Sequence, residues 1–203
     1  MAFFIIQATS MQPEHPSPRT VQRIVLIGFM GAGKSTIGPI LAERLGWRFV
    51  DADQKLESEA GATIADLFST LGEAAFRRKE AGVVARLCAT TSTVVALGGG
   101  AIETESTRTL LSKCSDTCVV FLQAPLDVLI ARCEQQPNAA IRPVLRQREA
   151  LEQRFHARLP HYQSAHLTIS TEDLEPGSVA DKILHRLLES SCAIPLYQKA
   201  ITI

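Results

Sequence analysis

The sequence predicts an α/β fold in which a parallel β-sheet is covered by helices on both faces. Five short apolar segments alternate with helical segments, which is the element order of a parallel sheet with crossover helices. The 203 residues are enough for one domain with a sizeable core. Apolar residues make up 46% and charged residues 21% of the chain, as in globular proteins.

The individual elements follow from local sequence patterns. The predicted strands are short runs of Val, Ile, Leu and Phe, and they span residues 23–27, 47–50, 93–97, 118–122 and 167–169. The predicted helices carry apolar residues three or four positions apart, and glycines end or interrupt several of them. They span residues 34–45, 54–60, 63–70, 73–87, 103–113, 148–157 and 178–188, with another helix starting at Pro125.

Three segments lie outside this alternation. Residues 1–20 contain three prolines and are predicted to form a flexible tail, and residues 189–203 are predicted to form a second tail. Residues 21–188 then make a single domain. Within it, residues 133–147 lack periodicity, and such a long loop in a compact domain is often an active-site lid.

Charge and hydropathy argue against two classes of partner. Lys+Arg and Asp+Glu both number 21, so the chain lacks the positive charge of a dedicated nucleic-acid binder. No apolar run approaches the roughly 18 residues that a membrane span needs. Residues 2–6 are apolar, but they lack the preceding Lys or Arg that is typical of a secretory signal. The five cysteines are odd in number and include no Cys-x-x-Cys, which predicts free thiols in a reducing cytoplasm.

Residues 28–35 carry the most specific motif of the chain. Their sequence, GFMGAGKS, matches G-x-x-x-x-G-K-[ST] and lies between a predicted strand and a predicted helix. In such a loop, backbone N–H groups and the positive helix N-terminus bind phosphate oxygens. Lys34 is expected to reach the β- and γ-phosphates, and the Ser35 hydroxyl to bind Mg²⁺. ATPases, GTPases and kinases share this loop, so it predicts nucleotide binding without specifying the reaction.

Two carboxylates follow the second predicted strand. Alternation along an extended strand would place Asp51 and Asp53 on the same side. Open α/β sheets bind ligands at the carboxyl ends of their strands, so we expect both side chains to face the phosphate site. One carboxylate would hold the metal shell while the other accepts a proton from an attacking hydroxyl. The alternative is that they only cap the following helix.

A glycine triplet and an excess of arginine complete the candidate site. Residues 98–100 are all glycine and follow the third predicted strand, where they either admit a ligand or make a tight turn. Between Lys113 and Lys182 the chain has six arginines and no lysine, and arginine suits bidentate binding of carboxylate or phosphate. Some of these arginines are expected to be solvated surface charges. Arg142, in the predicted lid, is the candidate to cover the γ-phosphate and exclude water.

Taken together, these segments resemble the shikimate kinases. The resemblance covers about residues 23–188 and depends on the order and spacing of residues 28–36, 49–53, 72–77, 98–100, 141–143 and 158–162. It implies the three-layer P-loop fold of nucleoside monophosphate kinases, with strand order 2-3-1-4-5 and a mobile lid. It also implies that ATP and shikimate react to give shikimate 3-phosphate and ADP, in the pathway to chorismate and the aromatic amino acids.

The resemblance further implies roles for individual residues. Asp53 would bind the substrate hydroxyls and activate one of them as the base, and the Gly99 backbone would contact the substrate. Arg77 and Arg158 would bind the substrate carboxylate, and Asp51 would support one Mg²⁺ per ATP through water. The implied catalytic residues are Asp53, Lys34 and Arg142. The implied ATP-binding residues are Gly31, Ala32, Gly33, Lys34, Ser35, Thr36 and Arg142.

Three other interpretations stay open. Another small-metabolite kinase, such as a gluconate kinase, would share the phosphate loop but lack the glycine triplet and the pair of Arg77 and Arg158. A non-catalytic nucleotide-binding module would be expected to lack Asp53 or Lys34. A GTPase would need an Asn/Thr-Lys-x-Asp signature for guanine, which the chain lacks. The predicted partners are therefore ATP and shikimate, with no nucleic acid or membrane, and the expected state is a cytoplasmic monomer.

Overall fold

The computed structural model describes residues 19–135, 148–190 and 192–193, and its centre is a five-stranded parallel sheet. The strands are β1 (Arg23–Ile27), β2 (Arg48–Asp51), β3 (Thr93–Ala96), β4 (Thr117–Gln123) and β5 (Leu167–Ser170). Their order in the sheet is β2-β3-β1-β4-β5, which confirms the predicted order. The central strand is β1, because Leu26 pairs with Ala96 on one side and with Val120 on the other.

Helices connect and cover these strands. They are α1 (Lys34–Leu45), α2 (Ala52–Ala60), α3 (Ile64–Leu87), α4 (Glu105–Lys113), α5 (Leu126–Glu134), α6 (Arg148–Gln163) and α7 (Pro176–Glu189). Every residue of β1 and β3 is buried. Because successive side chains of a strand point to opposite faces, both faces of the sheet are covered, as the α/β prediction requires.

Local signals explain where the first helices begin and end. Gly46 adopts a left-handed conformation (φ 65°) after α1 and donates its N–H to the last carbonyls of that helix. Asp51 ends β2 and caps α2, because its side chain accepts hydrogen bonds from the first turn. The predicted break between two helices is also present, since Gly72 interrupts α3 with φ 71° and ψ 166°. Glycine and cap residues therefore determine these boundaries.

Several predicted boundaries were wrong, including the starts of α2 and α7, which each lie two residues earlier than predicted. Residues Ala101–Glu103 form a 3₁₀ turn, and α4 begins only at Glu105. Helix α6 continues beyond residue 157 to Gln163 and includes Pro160, because Tyr162 is buried and anchors the final turn. Cys133, predicted to start the lid, is buried in the last turn of α5. The remainder of the predicted lid, residues 136–147, lies outside the described residues.

The two predicted tails contain a short pairing that the sequence did not indicate. Strand Arg19–Thr20 pairs in parallel with strand Cys192–Ala193, so residues from both ends of the chain lie side by side. Residues 1–18 and 194–203 lie outside the described part of the chain. None of the helices that the structure describes has both the length and the hydropathy needed to span a membrane.

Candidate active site

The loop between β1 and α1 requires glycine at several positions. Gly28, Gly31 and Gly33 have φ values of 147°, 76° and 91°, in a region that side chains disfavour. A Cβ atom on Gly28 would lie 2.6 Å from the carbonyl oxygen of Leu122 at the end of β4. The glycines thus allow this loop, which the motif identified as a phosphate loop, to curl tightly against the neighbouring strand.

The predicted phosphate-binding residues occupy this loop and the start of α1. Ala32 is buried, and Thr36 lies in the first turn of the helix, where its N–H donates to the Gly33 carbonyl over 3.0 Å. The Lys34 ammonium group donates to the carbonyl oxygens of Gly28 at 2.8 Å and Phe29 at 3.0 Å. Burial lowers the pKa of Lys34 to about 8, although the nearby Asp53 and Asp51 carboxylates oppose this shift. Lys34 is therefore mostly charged at neutral pH.

The side chains of Ser35 and Asp51 bring two oxygen atoms together beside the loop. The Ser35 hydroxyl donates to Asp51 Oδ2 over 2.8 Å. The other carboxylate oxygen, Oδ1, accepts from the backbone N–H groups of Asp53 at 3.0 Å and Gln54 at 3.3 Å. Asp51 is consequently both the cap of α2 and a neighbour of the phosphate loop, so the two interpretations of this residue are compatible.

Asp53 faces the glycine triplet, but not for the reason that strand alternation suggested. It lies in the first turn of α2, because the strand ends at Asp51. Its carboxylate nevertheless packs on Gly98, where an added Cβ would lie 2.5 Å from Oδ1 and 2.9 Å from Oδ2. Burial, together with the charges of Asp51 and Glu80, raises the pKa of Asp53 to about 6. This carboxyl can exchange a proton near neutral pH.

The other two glycines of the triplet face the two arginines. A Cβ on Gly100 would lie 2.6 Å from Arg77 Nη2, and one on Gly99 would lie 3.6 Å from Arg158 Nη1. The carbonyl oxygen of Gly99 accepts a 2.6 Å hydrogen bond from the Tyr162 hydroxyl. Each glycine of the triplet thus faces a different charged side chain, which is more than a tight turn requires.

The two arginines are held by carboxylates from two different elements, the helix α3 and the 3₁₀ turn Ala101–Glu103. Glu103 Oε2 accepts from Arg77 Nη2 at 3.1 Å and from Arg158 Nη2 at 3.0 Å. Glu80 Oε2 accepts from Arg77 Nη1 at 2.8 Å. The Arg158 guanidinium also lies over the Phe29 ring, 5.7 Å from its centroid, which links it to the phosphate loop. The site is a compact arrangement of alternating charges.

Besides Gly31, Ala32, Gly33 and Thr36 in the loop and the first turn of α1, the structure brings together seven predicted site residues at the carboxyl ends of β1, β2 and β3. They are Lys34, Ser35, Asp51, Asp53, Arg77, Gly99 and Arg158. Arg142 lies outside the described residues, so its position stays a prediction. Arg132, another arginine of this region, instead donates to the hydroxyl and carbonyl of Thr171.

Sequence reasoning missed three residues of the site. Glu80 could have been predicted from the sequence, because it lies three positions after Arg77 on one helix, and residues at this spacing are neighbours on the helix surface. Tyr162 could have been predicted in the same way, because it lies four positions after Arg158 on α6. The sequence gives almost no indication of Glu103, because its contacts with both arginines depend on the 3₁₀ turn that follows the glycine triplet.

The chain is similar in sequence to known proteins of one family. A sequence model of the shikimate kinase family matches residues 30–188. The chain is 37% identical over 169 residues to a shikimate kinase of Persephonella marina, covering 82% of this chain and 99% of that protein. It is 41% identical over 170 residues to a shikimate kinase of Symbiobacterium thermophilum, covering 82% of this chain and 96% of the relative.

A solved structure is similar as well. The shikimate kinase of Acinetobacter baumannii in complex with shikimate superposes with a TM-score of 0.73 at 34% identity, over 84% of this chain and 95% of that chain. The family match includes most of the phosphate loop, both strand-end carboxylates, the glycine triplet and both arginines. This chain therefore belongs to the shikimate kinase family.

Proposed function

We propose that this chain transfers the γ-phosphoryl group of ATP to the 3-hydroxyl of shikimate, which yields shikimate 3-phosphate and ADP. One observation carries the proposal: the glycine triplet holds Asp53 and the two arginines side by side, next to the phosphate loop. A hydroxylated carboxylic acid needs a base for its reacting hydroxyl and cations for its carboxylate. This arrangement offers both within reach of a bound nucleotide.

The nucleotide phosphates would be bound by residues 31–36. Their backbone N–H groups and the N-terminus of α1 would hold the phosphate oxygens. Lys34, which contacts two loop carbonyls through its ammonium group, would exchange these contacts for the β- and γ-phosphates. Its charge would then stabilise the negative charge that spreads over the transferring group.

Ser35 and Asp51 fit a magnesium ion. Mg²⁺ takes oxygen ligands, and a hydroxyl and a carboxylate lie 2.8 Å apart at the edge of the phosphate loop. Ser35 would hold the ion directly and Asp51 through water, with one ion for each ATP. When bound, the ion would neutralise charge on the β- and γ-phosphates.

Asp53 is proposed to be the base. In its ionised form it would accept the proton of the attacking hydroxyl as the oxygen bonds to the γ-phosphorus and ADP leaves. A pKa near 6 suits this task, because the carboxylate is then ionised at neutral pH and still basic enough to take a proton. Its position against Gly98 would fix it relative to the substrate.

Arg77 and Arg158 are proposed to bind the substrate carboxylate, with the Gly99 backbone alongside. Both guanidinium groups are largely buried, with 18% and 13% of their side-chain surface exposed. Paired guanidinium groups orient a planar carboxylate, and orientation of the reacting hydroxyl lowers the barrier to transfer. Arg142 and the segment of residues 136–147 are proposed to cover the γ-phosphate as a lid and exclude water.

The cellular setting is part of the same proposal. We place the enzyme in the pathway to chorismate and the aromatic amino acids, acting in the cytoplasm as a monomer on small molecules alone. The equal numbers of acidic and basic residues support the absence of a nucleic-acid partner.

The proposal is tested by measuring ADP release from Mg-ATP by the purified full-length chain. Shikimate, gluconate and a nucleoside monophosphate are supplied in parallel, with a reaction lacking any acceptor as the control. Turnover that requires shikimate supports the proposal. Turnover with gluconate or a nucleoside monophosphate instead would assign a different substrate, and ATP binding without transfer to any acceptor would favour a nucleotide-binding module.

A further inference from the structure

Glu103 already occupies the space between the two arginines. A single carboxylate oxygen of Glu103 accepts hydrogen bonds from Arg77 at 3.1 Å and Arg158 at 3.0 Å. These are the same guanidinium groups that are proposed to bind the carboxylate of the substrate. A carboxylate of the protein therefore makes the contacts that a carboxylate of the ligand would need.

Two carboxylates accept hydrogen bonds from the arginines, and they differ in exposure, while Glu73 lies further away, 3.7 Å from Arg77 Nη2. The Glu80 side chain is 6% exposed and is held by Arg77 alone among the described residues, whereas the Glu103 side chain is 34% exposed. If Glu80 moved away from Arg77, a buried charge would lose its ion-pair partner, which is costly. Glu103 is partly exposed already, so its carboxylate can turn into solvent and be hydrated there. Among the residues described, Glu103 is also the only carboxylate within 4.0 Å of Arg158. Of the two, Glu103 is the one that can leave.

Arg158 has unused capacity for a second anion contact. Its Nε atom is buried and has no hydrogen-bond partner within the described part of the chain. Carboxylates often bind arginine through two parallel N–H groups, and here only Nη2 is paired with a described acid. Release of Glu103 would leave this guanidinium without an acidic partner among the residues that the structure describes.

We propose that Glu103 is a built-in competitor of the substrate carboxylate: it neutralises Arg77 and Arg158 in the free enzyme and turns away when substrate binds. This inference rests on the proposed function of the same site. Two carboxylates cannot share the same N–H donors, because like charges about 3 Å apart repel strongly. Glu103 thereby weakens substrate binding and also protects the arginine pair from small anions that cannot make the hydroxyl contacts.

The test compares the wild type with Glu103→Gln, which keeps the size of the side chain and removes its charge. We expect the KM for shikimate to fall by at least about threefold, the scale of a partly exposed ion pair, while the KM for ATP stays the same. Acetate serves as a carboxylate without hydroxyl groups, and its inhibition constant against shikimate should fall by a similar factor. Glu105→Gln is the matched control, because Glu105 is exposed nearby and changes the net charge equally.

A purely structural role for Glu103 would produce the opposite changes. If Glu103 merely orients the arginines, Glu103→Gln will raise the KM for shikimate, lower kcat and leave acetate inhibition weak, and any of these results overturns the competitor role. Glu103→Ala, which also removes the amide oxygen, must change the KM in the same direction as Glu103→Gln. Failure of the proposed function is distinguishable, because the wild type itself would then release no ADP with shikimate.

Discussion

The carboxylate of Asp53 lies so close to Gly98 that a single added carbon atom would displace it. A Cβ on Gly98 would lie 2.5 Å from Oδ1 and 2.9 Å from Oδ2. Gly98 follows β3 and Asp53 follows β2, and these strands pair in parallel with Asp51 opposite Ala96. The pairing of two strands therefore determines where the proposed base is positioned.

Gly98→Ala is expected to lower kcat without unfolding the protein. The new methyl group would meet the free end of the Asp53 side chain rather than backbone, so the carboxylate moves while the fold stays. A displacement of about 1 Å from the reacting hydroxyl corresponds to roughly a 100-fold loss of kcat. Gly82→Ala in α3 is the control, because an added Cβ there has an ordinary 3.7 Å contact with Arg86. A kcat for Gly98→Ala within twofold of the wild type would contradict the role of Asp53 as the base.

Gly100→Ala is expected to affect substrate binding instead. An added Cβ at this position would lie 2.6 Å from Nη2 and 2.7 Å from Nη1 of Arg77, which would push the guanidinium group away from the site. The KM for shikimate should rise by about tenfold, the scale of one charge-assisted hydrogen bond, while the KM for ATP is unchanged. Equal increases in both KM values would indicate a general distortion and contradict the assignment of Arg77.

Most of the fold was predictable because its signals are local. Apolar runs identified the strands, and Gly46 and Gly72 identified a helix end and a helix break. The boundaries that failed depend on distant contacts. Helix α6 passes through Pro160 because Tyr162 reaches Gly99, which lies 63 positions earlier in the chain. Periodicity within one segment carries no information about such a contact.

The candidate site was predictable in its residues but only partly in its geometry. The sequence predicts Asp53 as a site residue from its position after a strand, yet it faces the site from a helix, because Asp51 caps α2 and ends the strand. The phosphate loop was predictable because its glycines and lysine serve a local backbone conformation. The contacts of Glu103 with Arg77 and Arg158 join residues 26 and 55 positions apart, so they emerge only from the packed structure.

Activity should depend on pH through Asp53 and Lys34. The pKa of Asp53 is raised to about 6, so the proposed base becomes protonated as the pH falls through this value. The pKa of Lys34 is lowered to about 8, so its positive charge is lost as the pH rises through that value. We expect a bell-shaped profile of kcat/KM for ATP with limbs near pH 6 and pH 8, measured at saturating shikimate. A flat profile between pH 5 and pH 7 would contradict the role of Asp53 as the base.

Asp53→Asn should stabilise the fold at alkaline pH while abolishing turnover. Because the folded protein raises the pKa of Asp53 from 3.8 to about 6, ionised Asp53 destabilises the fold. This penalty is complete above pH 6 and disappears below about pH 4, where the group is protonated in both the folded and unfolded states. Partial exposure of the side chain limits the gain in unfolding free energy at pH 8 to about 1–2 kcal/mol. Urea unfolding of the wild type and Asp53→Asn at pH 8 and pH 5 measures this gain. An equal or larger gain in unfolding free energy at pH 5 would show that the charge of Asp53 does not cause the stabilisation.

Tyr162→Phe tests whether the Gly99 carbonyl is held in place for the substrate. The Tyr162 ring stacks on Phe121 with centroids 5.2 Å apart, so phenylalanine preserves the packing and removes only the hydrogen bond to Gly99. Burial raises the pKa of Tyr162, which keeps its hydroxyl a donor across the working pH range. Loss of this bond should lower the unfolding free energy by about 1 kcal/mol, because the half-buried carbonyl loses its partner. If Gly99 contacts the substrate, the KM for shikimate will rise severalfold and the KM for ATP will not, whereas a stability loss with both KM values unchanged would restrict the Tyr162 hydroxyl to a structural role.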